Sequence, residues 1–303
     1  MLLALNSSAV LGEDSTANCT VVNLMPTFWA SLEGPAAPSQ LRGTLIDTHP
    51  ELYNTRVVDL SQGVDWQQTV AREQNYVTEH RDQVIGVTAY LSEHVSQYMR
   101  DFQRIFPSFR CDFTVYIAPS FDHMDGTAML VDGEYRLLLA PDVIPRYHEL
   151  GQLKVLVDHE TFHVYHHQVT GVYGASEETL PTILDALWSE GLAVLVSSRM
   201  NPAVSLDGVL FQPDIPAGTK SHLRTIAADL LKHLDEKDKR TFAYYFRKNK
   251  QPKGYPSRSG YYVGMLIAKR LTAHYTLQQL AQLKGPVLKD AIVSELSRLA
   301  TTG

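Results

Sequence analysis

His159-Glu160-Thr161-Phe162-His163 is the group of residues in this chain whose types and spacing could do chemistry. It lies within Leu150–His167, a stretch that reads as a helix. At about 100° per residue, positions 159 and 163 stand about 40° apart and one turn up, so both imidazoles leave the same face. Two neutral imidazoles so placed supply two corners of a tetrahedral zinc site with Zn–N of about 2.0–2.1 Å. Glu160 sits beside them, placed to take a proton from a metal-held water without itself being a ligand. This is the residue pattern of metal-assisted hydrolysis. With 12 His in 303 residues, a chance H-E-x-x-H is expected only about 0.03 times in such a chain. The apolar neighbours Leu153, Val155, Leu156, Val157, Phe162 and Val164 mark a largely buried helix, where polar groups need partners.

A zinc site needs a third protein ligand and an open fourth position. The next candidate is Glu190, 27 positions on (190 − 163), in the segment Ala186–Val196. That segment reads as a second helix, beginning near Ser176-Glu177-Glu178 with Pro181 in its first turns. Ile183, Leu187, Glu190 and Val194 share one stripe, so the carboxylate interrupts an apolar face. A buried lone carboxylate is costly, whereas one bound to a dication is not. Asp185 is the main alternative, should the second helix be turned. His166 would lie about 10 Å along the axis from His159, too far to share an ion comfortably. The longer H-x-x-G-x-x-H pattern is absent, with His166 and Val169 in place of its Gly and last His. Asp158, Asp185, His166 and His167 otherwise read as groups that support the ligands or line the rim.

In their order, HETFH, the later Trp188-Ser189-Glu190-Gly191-Leu192-Ala193 and Pro256–Gly264 (PSRSGYYVG) resemble the YjaZ-like zinc-dependent proteases. Those are gluzincin-type sequences with an H-E-x-x-H helix, an E-G-L-A helix and a G-Y-Y-x-G helix. The likeness covers roughly Asp112 to Leu299. It implies an α+β zincin (gluzincin-like) metallopeptidase fold, with a small β-sheet followed by a mainly helical C-terminal half. It also implies His159, His163 and Glu190 as ligands of zinc (Zn2+) and Glu160 as base. Ser189 stands where many gluzincins have Asn, and Val194 where they have Asp, so the surroundings of the ligands must be built differently here.

The elements that must position these groups follow from pattern. Positions 1–50, with Pro26, Pro35, Pro38 and Pro50, read as an irregular lead-in, and 51–303 as the metallopeptidase domain. Met1–Leu5 is apolar but far too short to span a bilayer; it is either the tail of an export signal or a ragged terminus. Val57–Leu60 reads as a short strand and Trp66–Phe106 as one long helix, on which His80 and His94 are surface or capped histidines. Phe113–Ala118, Thr127–Val131 and Glu134–Ala140 read as strands, the last two joined by the hairpin signal Asp132-Gly133. An edge strand there could pair with an extended peptide, or the sheet only braces the metal helix. Asn201–Gly218 reads as a Pro- and Gly-rich loop. Ser221–Leu234, Lys239–Phe246, Tyr261–His274, Leu277–Leu283 and Val287–Ala300 read as helices.

A donor for the developing oxyanion completes the set. Tyr261, then Tyr262, at the start of a helix between Gly260 and Gly264, are the candidates; Arg258 is near in sequence, and His222 and His274 are lesser ones. Two packing tyrosines beside glycines that admit a close helix is the structural alternative. The expected activity is hydrolysis of peptide bonds by zinc-bound water activated by Glu160, on a peptide or protein substrate. Hydrolysis of a non-peptide amide or ester, and a zincin fold kept as a binding module, stay open. A net charge of −6 gives no electrostatic case for nucleic acid or anionic membrane, and no apolar run has membrane length. Cys19 and Cys111 allow at most one internal disulfide and add nothing to the metal argument. The expected location is exported, periplasmic or cytoplasmic.

Overall fold

In the computed structural model the described residues are 19–34, 36–53, 65–171, 181–212, 214–247 and 254–302. Strand β1 (Thr20–Asn23) leads into helices α1 (Met25–Ser31), α2 (Ala37–Leu41) and α3 (Pro50–Tyr53), with a π-helical turn at Arg42–Ile46. Then come α4 (Trp66–Glu79), α5 (Arg81–Ile105), β2 (Thr114–Ile117), β3 (Gly126–Val131) and β4 (Glu134–Leu139). The remainder is helical: α6 (Leu153–Thr170), α7 (Ile183–Met200), α8 (Leu206–Leu210), α9 (Asp214–Ser221), α10 (Leu223–His233), α11 (Lys239–Phe246), α12 (Ser259–Leu271), α13 (Leu277–Gln282) and α14 (Gly285–Thr302). The architecture is α+β, mostly helical, with a small four-stranded mixed sheet.

The sheet order is β1-β2-β4-β3, parallel except for the β3–β4 pair. Asp132 (φ 52°) and Gly133 (φ 79°) form the tight turn between β3 and β4, both left-handed as a primed hairpin turn requires. Of the lead-in expected to be irregular over 1–50, positions 1–18 lie outside the described residues, and the described residues from Cys19 include β1, α1, α2 and the π-helical turn. Thr20–Asn23 pairs in parallel with Thr114–Ile117, and Met25, Phe28, Leu41, Leu45, Leu52 and Tyr53 are fully buried. Cys19 and Cys111 are joined in a disulfide, their Cα atoms 4.9 Å apart, which fixes β1 beside β2. Closing a separation of 92 residues restricts the unfolded chain and is worth roughly 2–4 kcal/mol. The expected strand at Val57–Leu60 and the expected helix start near Ser176 lie outside the described residues.

Two further expectations change. The helix over Trp66–Phe106 is broken at His80 (φ −108°, ψ 24°), which ends α4 and precedes α5. The Asn201–Gly218 loop contains α8, capped by Ser205, and the start of α9. His80 and His94 do bond their own helices, Nδ1 to the carbonyls of Tyr76 and Tyr90, as surface or capped histidines would.

The core lies where α6 meets α5, the sheet and α7. Val84, Val87, Leu91, Val95, Met99 and Phe102 of α5 are buried at helical spacing, and the Phe106 ring packs at a tilt against Phe162 and Tyr165 of α6. α7 is buried on nearly every side, and α12 crosses it with backbones in contact. At Gly264 an added methyl group would overlap the carbonyl oxygen of Leu187, and at Gly191 it would overlap the backbone of Gly264. The glycines of the two short motifs therefore seat α12 on α7, which sets Tyr261 above Glu190.

Candidate metal centre

α6 is entered through a capping box, Glu149 with Gln152, and ends at Gly171 in the left-handed conformation (φ 70°). The regular turn between them puts His159 and His163 on the face toward α7. Helix α7 starts at Ile183, where the Thr182 hydroxyl accepts from the N–H of Asp185 at 3.0 Å. That phase brings Glu190 across from the two imidazoles. His159 Nε2 and His163 Nε2 are 3.2 Å apart, and Glu190 Oε2 lies 3.3 Å from the first and 3.4 Å from the second. Ligand atoms about 2.0–2.1 Å from a tetrahedral zinc stand about 1.63 times that distance apart, or about 3.3–3.4 Å. The observed triangle matches those edges. Among the described residues these three form a metal-competent cluster of His, Cys, Asp and Glu.

Two imidazole nitrogens and a carboxylate oxygen aimed at one point need positive charge between them. In the bare protein a proton provides it. Burial pulls the pKa of His163 down, but the Glu190 charge and hydrogen bond outweigh this and bring it to about 9. Burial pushes Glu190 up, yet the charge of His163 and hydrogen bonds from both imidazoles hold it far below the usual carboxylate range. A divalent cation satisfies the same demand with all three groups deprotonated. Donor types, spacing and charge all fit such an ion.

His163 Nδ1 meets Ser189 Oγ at 3.1 Å, so the serine that replaces the expected amide orients this ring. His159 Nδ1 is buried without a partner among the described residues. Glu160 is held by the sheet: its Oε2 accepts from the backbone N–H of Ala128 at 3.1 Å, on β3, the last strand of the sheet order among the described residues. Burial raises the Glu160 pKa, His159 and His163 oppose this, and Glu190 and Asp125 add to it. Asp125 in turn binds His148 Nε2 at 2.7 Å.

Of the two tyrosines, the structure brings Tyr261 to the centre. Its ring lies nearly parallel to that of His159 at 6.2 Å, and the Arg258 guanidinium sits 4.2 Å over it. Burial pushes the Tyr261 phenol pKa well up, the Glu190 charge adds to this, and Arg258 opposes it. Tyr262 feels burial alone and is packed in the core. His222 caps nearby backbone, with Nδ1 on the Gly218 carbonyl, and is not part of the centre.

The groups expected to support the ligands are placed elsewhere. Asp185, the alternative ligand, takes the Thr182 hydroxyl at 2.6 Å at the start of α7. Asp158 is buried with Lys154 (2.6 Å) and Asn201 (2.7 Å), and burial lifts its pKa to about 6. His167 Nδ1 and the Tyr135 hydroxyl share a hydrogen bond of 2.6 Å, and His166 stacks on Phe162. Sequence reasoning missed the Ala128 N–H, because a backbone donor leaves no residue signature. It also did not assign Ser189 to His163, although the position next to the ligand glutamate pointed there.

No protein-family model, no curated protein and no solved structure matches this chain.

Proposed function

We propose that this chain is a zinc-dependent metallopeptidase with a gluzincin-like zincin fold, in which His159, His163 and Glu190 hold the ion. The observation that carries the reading is the triangle of donor atoms with edges of 3.2, 3.3 and 3.4 Å, flanked by Glu160. A zinc ion held there supplies a Lewis acid that acidifies water and polarises a carbonyl oxygen. The chain's own residues do the rest. Glu160, with one oxygen anchored by Ala128, accepts a proton from the attacking water and returns it to the leaving amine nitrogen. Its raised pKa suits a group that must both take and give a proton. The Tyr261 phenol, kept protonated, donates to the oxyanion, and Arg258 holds its ring in place.

The Cys19–Cys111 bridge supports an oxidising, extracytoplasmic compartment. Among the described residues no helix is long and apolar enough to cross a membrane.

The test is Glu160→Gln against a peptide library, with metal content measured on the same samples. The variant should keep its zinc and lose at least about 100-fold in hydrolysis, the usual share of a general base. Full activity in Glu160→Gln would remove the base assignment.

A further inference from the structure

Glu160 leans on a corner of the sheet that a buried imidazole ties down. The corner is the start of β3. A methyl group added at Gly126 would stand 3.4 Å from Glu160 Cγ and 3.2 Å from Leu156 Cδ1, so the β3 backbone lies directly against the glutamate. Two residues on, Ala128 gives its N–H to Glu160 Oε2. Asp125, the residue before β3, makes bonds that fix this corner. Its carbonyl accepts from the Ala140 N–H at 2.9 Å, and its carboxylate meets His148 Nε2 at 2.7 Å. A carboxylate only accepts, so Nε2 carries a proton and donates.

His148 is itself immobilised. Its side chain is 0% exposed, and its N–H reaches the Ile144 carbonyl at 2.9 Å. Its ring meets that of Phe211 nearly at right angles, 4.3 Å between centres. Phe211 in turn closes α8 in the left-handed conformation (φ 54°). Asp125 is therefore bound on one side by the residue after β4 and on the other by a wedged imidazole. A side chain with no surface cannot touch a substrate, and neither His148 nor Asp125 belongs to the metal triangle. Their bond instead sets where β3 stands, and with it the Ala128 N–H. Hydrogen bonds weaken steeply with misalignment, and a reacting group must be held to within about 0.5 Å, so a small shift of this strand would release the glutamate.

We propose that His148 is a positioning residue: through Asp125 it holds the start of β3 where Gly126 and Ala128 fix the Glu160 carboxylate. The consequence for turnover rests on the peptidase reading; the positioning of Glu160 does not.

The experiment follows amide hydrogen exchange by NMR in the metal-free full chain, for wild type, His148→Leu, His148→Gln and Asp125→Ala. Glu160→Ala gives the rate of a released Ala128 N–H. Zinc content, kcat and KM are measured on the zinc-loaded set with the best substrate from a quenched fluorescent peptide library. Thr127 and Met129 alternate with Ala128 and face β4, so their amides report the sheet itself. In His148→Leu and Asp125→Ala, Ala128 should exchange as fast as in Glu160→Ala while Thr127 and Met129 stay unchanged. In the same variants kcat should fall roughly 10–100-fold, the usual cost of losing an outer partner, at constant KM and zinc content. His148→Gln, whose amide can donate from the place of Nε2, should restore both. Asp125→Ala removes the same bond from a partly exposed position, so the result does not hang on the folding of His148→Leu. An Ala128 amide that stays protected, or that speeds up in step with Thr127 and Met129, would overturn the role, as would a released Ala128 with wild-type kcat. Selective release of Ala128 in a protein whose wild type cleaves no peptide would remove the peptidase reading and leave His148 as the residue that positions Glu160.

Discussion

Zinc affinity should depend on pH in a way that the His163–Glu190 pair dictates. In the bare protein His163 titrates near 9, so at pH 7 it is almost wholly protonated and the ion must displace that proton. With the pKa about 2 units above the working pH, competition weakens apparent affinity about 100-fold, or about 2.7 kcal/mol. Raised folded-state pKa means that the penalty is present below about 9 and disappears as pH climbs through it. Apparent affinity should therefore strengthen about tenfold per pH unit between pH 7 and 8.5, with one proton released from His163 per ion at pH 7. An imidazole of ordinary pKa near 6.5 would release only about 0.24 of a proton at pH 7 and show little change above it. Competition against a chromophoric chelator gives the slope, and calorimetry in buffers of different ionisation enthalpy gives the proton count. A change below about threefold between pH 7 and 8.5, or proton release from this site near 0.24, would refute the charge arrangement described here.

Two substitutions test the frame around the centre. Gly264→Ala should destabilise by at least about 1–3 kcal/mol in denaturant melts, because its methyl meets the Leu187 carbonyl, while Gly86→Ala in α5, with open space around it, should stabilise by roughly 0.5–1 kcal/mol. Glu73 is buried against Arg146 and near Asp142, and burial followed by the Asp142 charge raises its pKa far above the usual carboxylate range. Its contribution is favourable below the unfolded value near 4.5 and is lost as pH rises through the folded one. Glu73→Gln should accordingly raise Tm at pH 9, by the equivalent of roughly 1–3 kcal/mol, and leave it unchanged near pH 4.5.

Much of the site was legible because its chemistry is local in sequence. His159, Glu160 and His163 fall within one helical turn, and Glu190 announces itself as a carboxylate among Leu187, Val194 and other buried residues. Helix α5 was readable from the period of its apolar residues, and α6 from the apolar residues that crowd around its histidines. What stayed hidden is non-local or short. β1 is four residues long and gains its stability by pairing with a strand 94 positions away (114 − 20), so nothing around Thr20 marks it. Helices α1 and α2 carry Pro at their first positions, which reads as a break in a sequence and as a start in a fold. The interruption at His80 lies within an otherwise unbroken helical pattern.

The central claim is that His159, His163 and Glu190 share one ion. Elemental analysis and zinc titration of purified protein, in wild type and Glu190→Ala, test it most directly. Wild type should bind one zinc per chain, and Glu190→Ala should weaken binding by more than the roughly 10–100-fold typical of an outer partner. Wild-type protein that retains no zinc, or a Glu190→Ala variant that binds it equally well, would contradict the account.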